Sequence, residues 1–252
     1  MKSILKKVTG IAVAATLAFG MIGCSNPSEQ TPPASPAGPD YSKCVVGDFI
    51  LKDGTVLSKD TDLTPEQKQN VATVIVRAAE KGKPALGVGI VHSEGEWCKD
   101  DASGDKINIE KLRGSNTSGY IDGSDSWELL VAACDDLKSA TPEEFETIAN
   151  KYPAFNFCRK YGETHGLERE LAEGWYLPTL AEFYTIYINK ETVEASLEKA
   201  GGDQFGIHTY WTCCQSSSET STGALVFQFN NGILGYTFKS QSTYIRSVKA
   251  FN

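Results

Sequence analysis

The sequence predicts one α+β domain in which helices come first and an antiparallel sheet follows. Thr141 and Glu144 have the spacing of a helix capping box ahead of an amphipathic segment, and Thr179 and Glu182 repeat that spacing. Residues 126–138 also carry apolar side chains at helical spacing. The last third of the chain is rich in β-branched and aromatic residues, which favour strands.

The segments before these helices have the features of strands and of one short helix. The Asp-Gly pair at residues 53–54 favours a tight turn between two short strands. Thr, Pro and Gln within residues 64–67 mark a helix start. Residues 71–76 and 85–93 suit buried strands, although the first run can also continue the helix, because periodicity does not separate the two. Residues 93–123 are polar and contain several glycines, so we expect a loop there.

The C-terminal third predicts four strands. The Asn231-Gly232 pair favours a tight turn between the second and the third of them. The four strand-like segments are YWTCC at 210–214, GALVFQF at 223–229, ILGYTFK at 233–239 and YIRSVKAF at 244–251.

The N-terminus has the pattern of a bacterial export signal. Three lysines precede an apolar run over residues 11–22, which is too short for a comfortable membrane span. The run ends in Met-Ile-Gly-Cys, which resembles a lipobox with Met21 in place of the usual Leu. The resemblance implies that residues 1–23 are a signal peptide and that Cys24 is lipidated. Because Ser25 is not the Asp that retains many lipoproteins at the inner membrane, we expect an outer-membrane or cell-surface location.

A tether and a single domain are expected after the lipidated cysteine. Residues 24–41 are rich in Pro and Ser and lack an apolar period, so they predict an extended tether, and residues 42–252 form the domain. Removal of the signal peptide, which carries three lysines and no acidic residue, changes the formal net charge from −8 to −11. An acidic domain repels phosphate backbones, so we expect no nucleic-acid partner.

Six cysteines remain after Cys24, and their irregular spacing predicts no disulfide framework. We expect most of them to pack as small buried apolar side chains. The adjacent Cys213 and Cys214 raise the question of thiol catalysis. Neighbouring residues of a strand point to opposite faces, so these thiols are not expected to cooperate: one packs inward and the other is exposed.

The order of motifs in the second half of the chain resembles a known family. Its elements are FNFCRKYG, EGWYLPTLAEF, TYWTCCQ, FNNG and YIRSVKAF. Together they resemble the C-type-lectin-like fold in its formylglycine-generating-enzyme-like branch. The matching residues are Cys158, Gly174, Trp175, Leu177, Pro178, Thr179, Glu182, Tyr210, Trp211, Phe229, Gly232, Arg246, Val248 and Phe251.

Within that branch, the chain is most similar to variable lipoproteins of diversity-generating retroelements. The resemblance implies that a C-terminal variable region, about residues 204–252, is rewritten by error-prone reverse transcription at template adenines. Randomised Asn codons give Ser, Thr, Cys, Gly, Tyr, Phe, Leu, Ile, His or Asp, and they cannot give Trp, Gln, Glu, Lys or Met. This filter excludes Trp211, Gln215, Glu219, Gln228, Lys239 and Gln241.

The same filter leaves eleven candidate variable positions, which are the expected ligand-binding residues. Two of them, Leu234 and Phe238, are also compatible with a place in the core. The candidates are Ile207, His208, Thr212, Cys214, Ser216, Ser218, Leu234, Gly235, Tyr236, Thr237 and Phe238.

The resemblance therefore implies a surface-displayed, monomeric binding protein that is not an enzyme and has no metal or cofactor. Its ligand is an unidentified protein or surface molecule, since adaptable binding surfaces favour Tyr, Ser and Gly. One alternative is a thiol-dependent oxidase of the formylglycine-generating type. Another is a structural envelope lipoprotein without a specific ligand. The Glu-Pro-Asn and Trp-Asn-Asp patterns of calcium-dependent lectins do not occur.

Overall fold

The computed structural model describes residues 39–112, 114, 122–216 and 222–251. They belong to one compact unit, Gly38–Asn252, and the preceding unit, which contains Cys24, lies outside the described residues. The helices are α1 (Pro65–Asn70), α2 (Ser126–Ala133), α3 (Asp135–Lys138), α4 (Pro142–Ala149), α5 (Pro153–Arg159), α6 (Tyr161–Thr164), α7 (Leu180–Ile188) and α8 (Lys190–Ala200). None of these helices combines the length and the apolar character that crossing a membrane requires.

Nine strands form one sheet within the described residues. Eight follow the order β2-β1-β3-β4-β9-β6-β7-β8, and β5 pairs with β9 beside this path. All pairs are antiparallel except β6 with β9. The chain is therefore an α+β protein with a mainly antiparallel sheet. The strands are β1 (Phe49–Leu51), β2 (Val56–Leu57), β3 (Val71–Arg77), β4 (Ala85–Gly95), β5 (Trp175–Tyr176), β6 (Thr209–Gln215), β7 (Gly223–Gln228), β8 (Ile233–Phe238) and β9 (Thr243–Phe251).

The middle of the sheet is covered on both faces. In β3, Val74 and Val76 belong to the larger apolar core, whereas Ile75 belongs to a second core with Trp175 and Phe251. A strand that is buried on both faces has no polar positions to alternate with apolar ones. This explains why residues 71–76 are apolar except for Thr73, whose buried hydroxyl donates to the Val88 carbonyl. These residues form strand β3 and do not continue α1.

The local predictions at turns and helix starts are confirmed. Strands β1 and β2 pair across residues 53–54, and β7 and β8 pair across residues 231–232. Thr64, Thr141 and Thr179 each form a capping box with the residue three positions later. These features depend on a few neighbouring residues, so the sequence is sufficient to predict them.

The predicted order of helices followed by sheet is wrong. Strands β1 to β4 precede α2, and they join the C-terminal strands in one sheet because β9 pairs with β4. The helix predicted over residues 126–138 is also interrupted at Cys134, which has an extended backbone. Periodicity reports on neighbours in the chain, whereas the β4–β9 pairing joins segments that are distant in sequence.

A buried carboxylate holds the start of α7. Glu182 is 2% exposed, and its side chain accepts hydrogen bonds from the Tyr176 hydroxyl at 2.6 Å and from the Thr179 backbone N–H at 2.9 Å. Burial raises the pKa of the Glu182 carboxyl to about 7, although these hydrogen bonds oppose the shift. The carboxyl group of the α7 capping box therefore titrates inside the core.

This titration predicts a pH-dependent difference in stability between the protein and its Glu182→Gln variant. The folded protein binds the proton more tightly than the unfolded chain, whose pKa is 4.5. The stabilisation is complete below pH 4.5 and is lost as the pH rises through about 7, with a magnitude of about 3 kcal/mol. Denaturant unfolding measured across this pH range should show that the difference in the free energy of unfolding between the protein and the variant falls as the pH rises. The exposed Glu128→Gln is the control, and an equal slope for both variants would contradict the assignment.

Candidate functional site

The terminal strand β8 carries most of the exposed apolar side chains of the predicted variable region. Leu234, Tyr236 and Phe238 are 37%, 46% and 59% exposed. Alternate residues of a strand share a face, so these three side chains form one row. The opposite edge of β8 pairs with no strand in the described part of the chain. The sequence left open whether Leu234 and Phe238 lie in the core, and the structure places both at the surface.

Two glycines allow the side chains of β7 and β8 to pack closely beside this row. The Tyr236 ring lies over Gly223 of β7, where an added Cβ would be 2.0 Å from Tyr236 Cζ. Gly235 faces Val226, and a Cβ there would be 2.8 Å from Val226 Cγ2. Gly235 is half-buried, as is Thr237. The structure thus leaves little room for varied side chains at Gly235, although it was a candidate variable position.

A second group of candidates lies in the loop before β6. Ile207 is 79% exposed, and the next residue, His208, is half-buried against Tyr244 of β9, with ring centroids 4.0 Å apart. The buried Arg246 fixes the position of this loop, because its guanidinium donates to the carbonyl oxygen of Asp203. β8 lies three strand positions from β9, which is roughly 14 Å at ordinary strand spacing. The predicted binding residues therefore form two surfaces rather than one.

The expectation that Thr212 and Cys214 are exposed is wrong. Both are fully buried in β6, and the Thr212 hydroxyl donates to the Leu225 carbonyl at 2.8 Å. β6 lies between β9 and β7 and is covered on both faces, so its side chains cannot reach a ligand. The codon filter accepts these two residue types but contains no information about burial.

The two neighbouring thiols are also both buried, so the prediction of one exposed cysteine is wrong. The β6–β7 register shifts between Trp211 and Gln215, which interrupts the regular alternation of faces in the segment that contains Cys213 and Cys214. Burial raises the pKa of the Cys213 thiol well above its ordinary value. Of the remaining candidates, Ser216 is half-buried, and Ser218 lies outside the described residues.

Three of the residues that the codon filter excludes, Trp211, Gln215 and Lys239, are buried and form a framework beneath these surfaces. Gln241, which the filter also excludes, is exposed. The indole N–H of Trp211 donates to the Gly95 carbonyl at 2.9 Å, and the Gln215 amide binds the main chain of residues 107–109. The ammonium of Lys239 is fully buried and donates to the carbonyl oxygens of Gly104 and Ile107 at 2.6 and 2.9 Å. Burial lowers the pKa of Lys239 to about 8.

Sequence reasoning missed several residues of these surfaces. Ile233 is 55% exposed and precedes Leu234 in β8; Ile passes the codon filter, so its position beside a candidate could have identified it. His92 and Tyr244 pack beside His208, but they come from β4 and β9, and no local pattern connects them. Only the pairing of those strands brings the three rings together.

The site is a surface of side chains rather than a cavity. Cavities of about 490 and 300 Å³ lie elsewhere, one beside Leu51 and Glu168 and the other beside Arg77 and Tyr176. No predicted binding residue that the structure describes lines either of them. Within the same part of the chain, no group of three or more His, Cys, Asp or Glu side chains could hold a metal ion.

Comparison with known proteins adds no relative. A scan against protein-family models found no match, and a search of curated proteins found no significant match.

The framework role of Lys239 predicts a large loss of stability in Lys239→Met. The apolar side chain fits the space beside the Trp97 ring, but it leaves the Gly104 and Ile107 carbonyls without their donor. Unsatisfied buried carbonyls should lower the free energy of unfolding by about 2–4 kcal/mol, measured by urea denaturation. The exposed Lys99→Met should change it by less than about 0.5 kcal/mol. Equal effects of the two substitutions would contradict the role of Lys239.

Proposed function

We propose that the protein is a surface-displayed binding protein whose C-terminal region is diversified by a retroelement. The observation that carries the proposal is the row of Leu234, Tyr236 and Phe238, which is exposed on the terminal strand of the sheet, beside the largely buried strand β7. An exposed apolar edge strand promotes aggregation, so a stable domain that keeps one has a reason to present it to a partner.

The contrast between framework and exposed positions supports diversification. Trp211, Gln215 and Lys239 cannot arise from randomised Asn codons, and each is buried and hydrogen-bonded. Ile207 and Phe238 can arise from such codons, and each is exposed. A diversified protein needs this arrangement, because variation must change the ligand-binding surface without lowering the stability of the fold.

We also propose the finer fold and location that this function needs. The C-type-lectin-like architecture is supported by the pairing of the last strand, β9, with β4 from the first part of the domain. A lipid on Cys24 would hold the protein at the outer membrane or cell surface. The tether would be shorter than the predicted residues 24–41, because Tyr41 is buried in the second core and the compact unit begins at Gly38. The protein would then be a monomer that binds a protein or surface ligand without a cofactor.

Sequencing of the neighbouring DNA tests the proposal. We expect a reverse-transcriptase gene and a near-identical template that differs from the coding segment only at template adenines. The differing codons should include those of Ile207, Leu234, Tyr236 and Phe238. Absence of the template, or differences at bases other than adenine, would reject diversification. Differences concentrated at the codons of buried residues such as Thr212 would contradict the proposal that diversification acts on the exposed surface.

Thiol reactivity distinguishes this proposal from the rival oxidase. The six cysteines of the described residues are all buried and unbridged. In native protein, none of them should react with iodoacetamide in the time that labels an exposed free thiol. All six should react after denaturation, which is the control for reagent and protein. Mass spectrometry locates the label. A single thiol that reacts rapidly in native protein, coupled to oxidation of a peptide cysteine, would favour the oxidase.

A further inference from the structure

Three aromatic rings from separate parts of the chain pack together beside Ile207. The ring centroids of His208 and Tyr244 are 4.0 Å apart, those of His92 and Tyr244 4.7 Å, and those of His92 and His208 5.7 Å. The Tyr210 hydroxyl lies 3.0 Å from Nδ1 of His92 and fixes that ring from within the sheet. We call the rings of His92, His208 and Tyr244 the histidine cluster.

Two carboxylates stand at the margin of the histidine cluster. Asp203 Oδ2 accepts the backbone N–H of His92 at 2.9 Å and lies 3.9 Å from its Nε2. Glu94 is directly opposite Tyr244 in the β4–β9 register, and a hydrogen bond with Glu94 raises the pKa of Tyr244. Glu94 is exposed and Asp203 is half-buried, so both carboxylates remain within reach of a ligand.

The cations near the histidine cluster are directed toward the main chain. Arg246 is fully buried, and its guanidinium donates to the carbonyl oxygens of Gly89 and Asp203. The ammonium of Lys190 donates to two main-chain carbonyls, one of them that of Gly206. The outward charge of this patch is therefore negative, which agrees with the formal net charge of −8 for the chain.

We propose that the histidine cluster, together with Ile207, Glu94 and Asp203, receives a segment of a partner protein that carries Lys or Arg side chains. This inference rests on the proposed function and names the class of ligand. The aliphatic stem of a basic side chain packs on aromatic rings and on an exposed isoleucine, while its charged end reaches the carboxylates. An acidic segment would meet like charges, which oppose its binding.

Fluorescence anisotropy with labelled peptides tests the class of ligand. An alternating Gly-Arg decapeptide should bind the full chain near neutral pH, and an alternating Gly-Glu decapeptide should not. Glu94→Gln should weaken binding of the Gly-Arg peptide roughly five-fold, because an exposed carboxylate at the site is lost. Tyr244→Ala should weaken it by a similar factor, and circular dichroism establishes whether that variant is folded.

Matched controls separate the site from general acidity. Glu143→Gln removes the same charge from an exposed position in α4, and Tyr184→Ala removes an exposed ring from α7. Each should change the dissociation constant less than about two-fold. Equal weakening by Glu94→Gln and Glu143→Gln, absence of Gly-Arg binding, or preference for Gly-Glu would overturn the inference. The DNA test is independent of these outcomes. If the template is found but the Gly-Arg peptide does not bind, only the proposed class of partner is rejected.

Discussion

The guanidinium of Arg246 connects the parts of the fold on which the binding surfaces depend. It lies in β9, and it donates to the Gly89 carbonyl in β4 and to the Asp203 carbonyl in the loop before β6, over the Phe205 ring. The β4–β9 register shifts between residues 88 and 92, so the segment around Gly89 lacks regular ladder partners in β9, although Gly89 pairs with Thr73 of β3. The buried guanidinium needs strong hydrogen-bond acceptors, and the Gly89 and Asp203 carbonyls need a donor. The contact between them satisfies both groups. The position of the loop that carries the exposed Ile207 follows from this contact.

A comparable use of a buried cation occurs between β8 and β9. Lys239 precedes this strand, and its ammonium holds the main chain at Gly104 and Ile107. Its own carbonyl accepts the backbone N–H groups of Trp97 and Cys98. Both cations stabilise irregular backbone through main-chain oxygens rather than through acidic side chains. Such contacts do not depend on the identity of neighbouring side chains, so substitutions at neighbouring positions would leave them in place.

The two exposed surfaces present different chemistry to a ligand. The row on β8 is apolar and uncharged, whereas the histidine cluster is aromatic and bordered by Glu94 and Asp203. Strands β7 and β6 lie between β8 and β9, so the sheet sets the distance from the β8 row to Tyr244, whereas Ile207 and His208 lie in the loop before β6. A partner that used both would span roughly 14 Å, which is within the width of an ordinary protein interface. Affinity would then depend on whether one ligand carries apolar and basic groups at that separation.

The α+β class, the turns at residues 53–54 and 231–232, and the capped helix starts could be predicted from the sequence, because each depends on a few neighbouring residues. The exposure of the candidate residues could not be predicted in this way, because it depends on how the strands pair. Thr212 has a suitable residue type but lies in a strand covered on both faces. The histidine cluster likewise exists only through strand pairing, since no local pattern records a contact between residues distant in the chain.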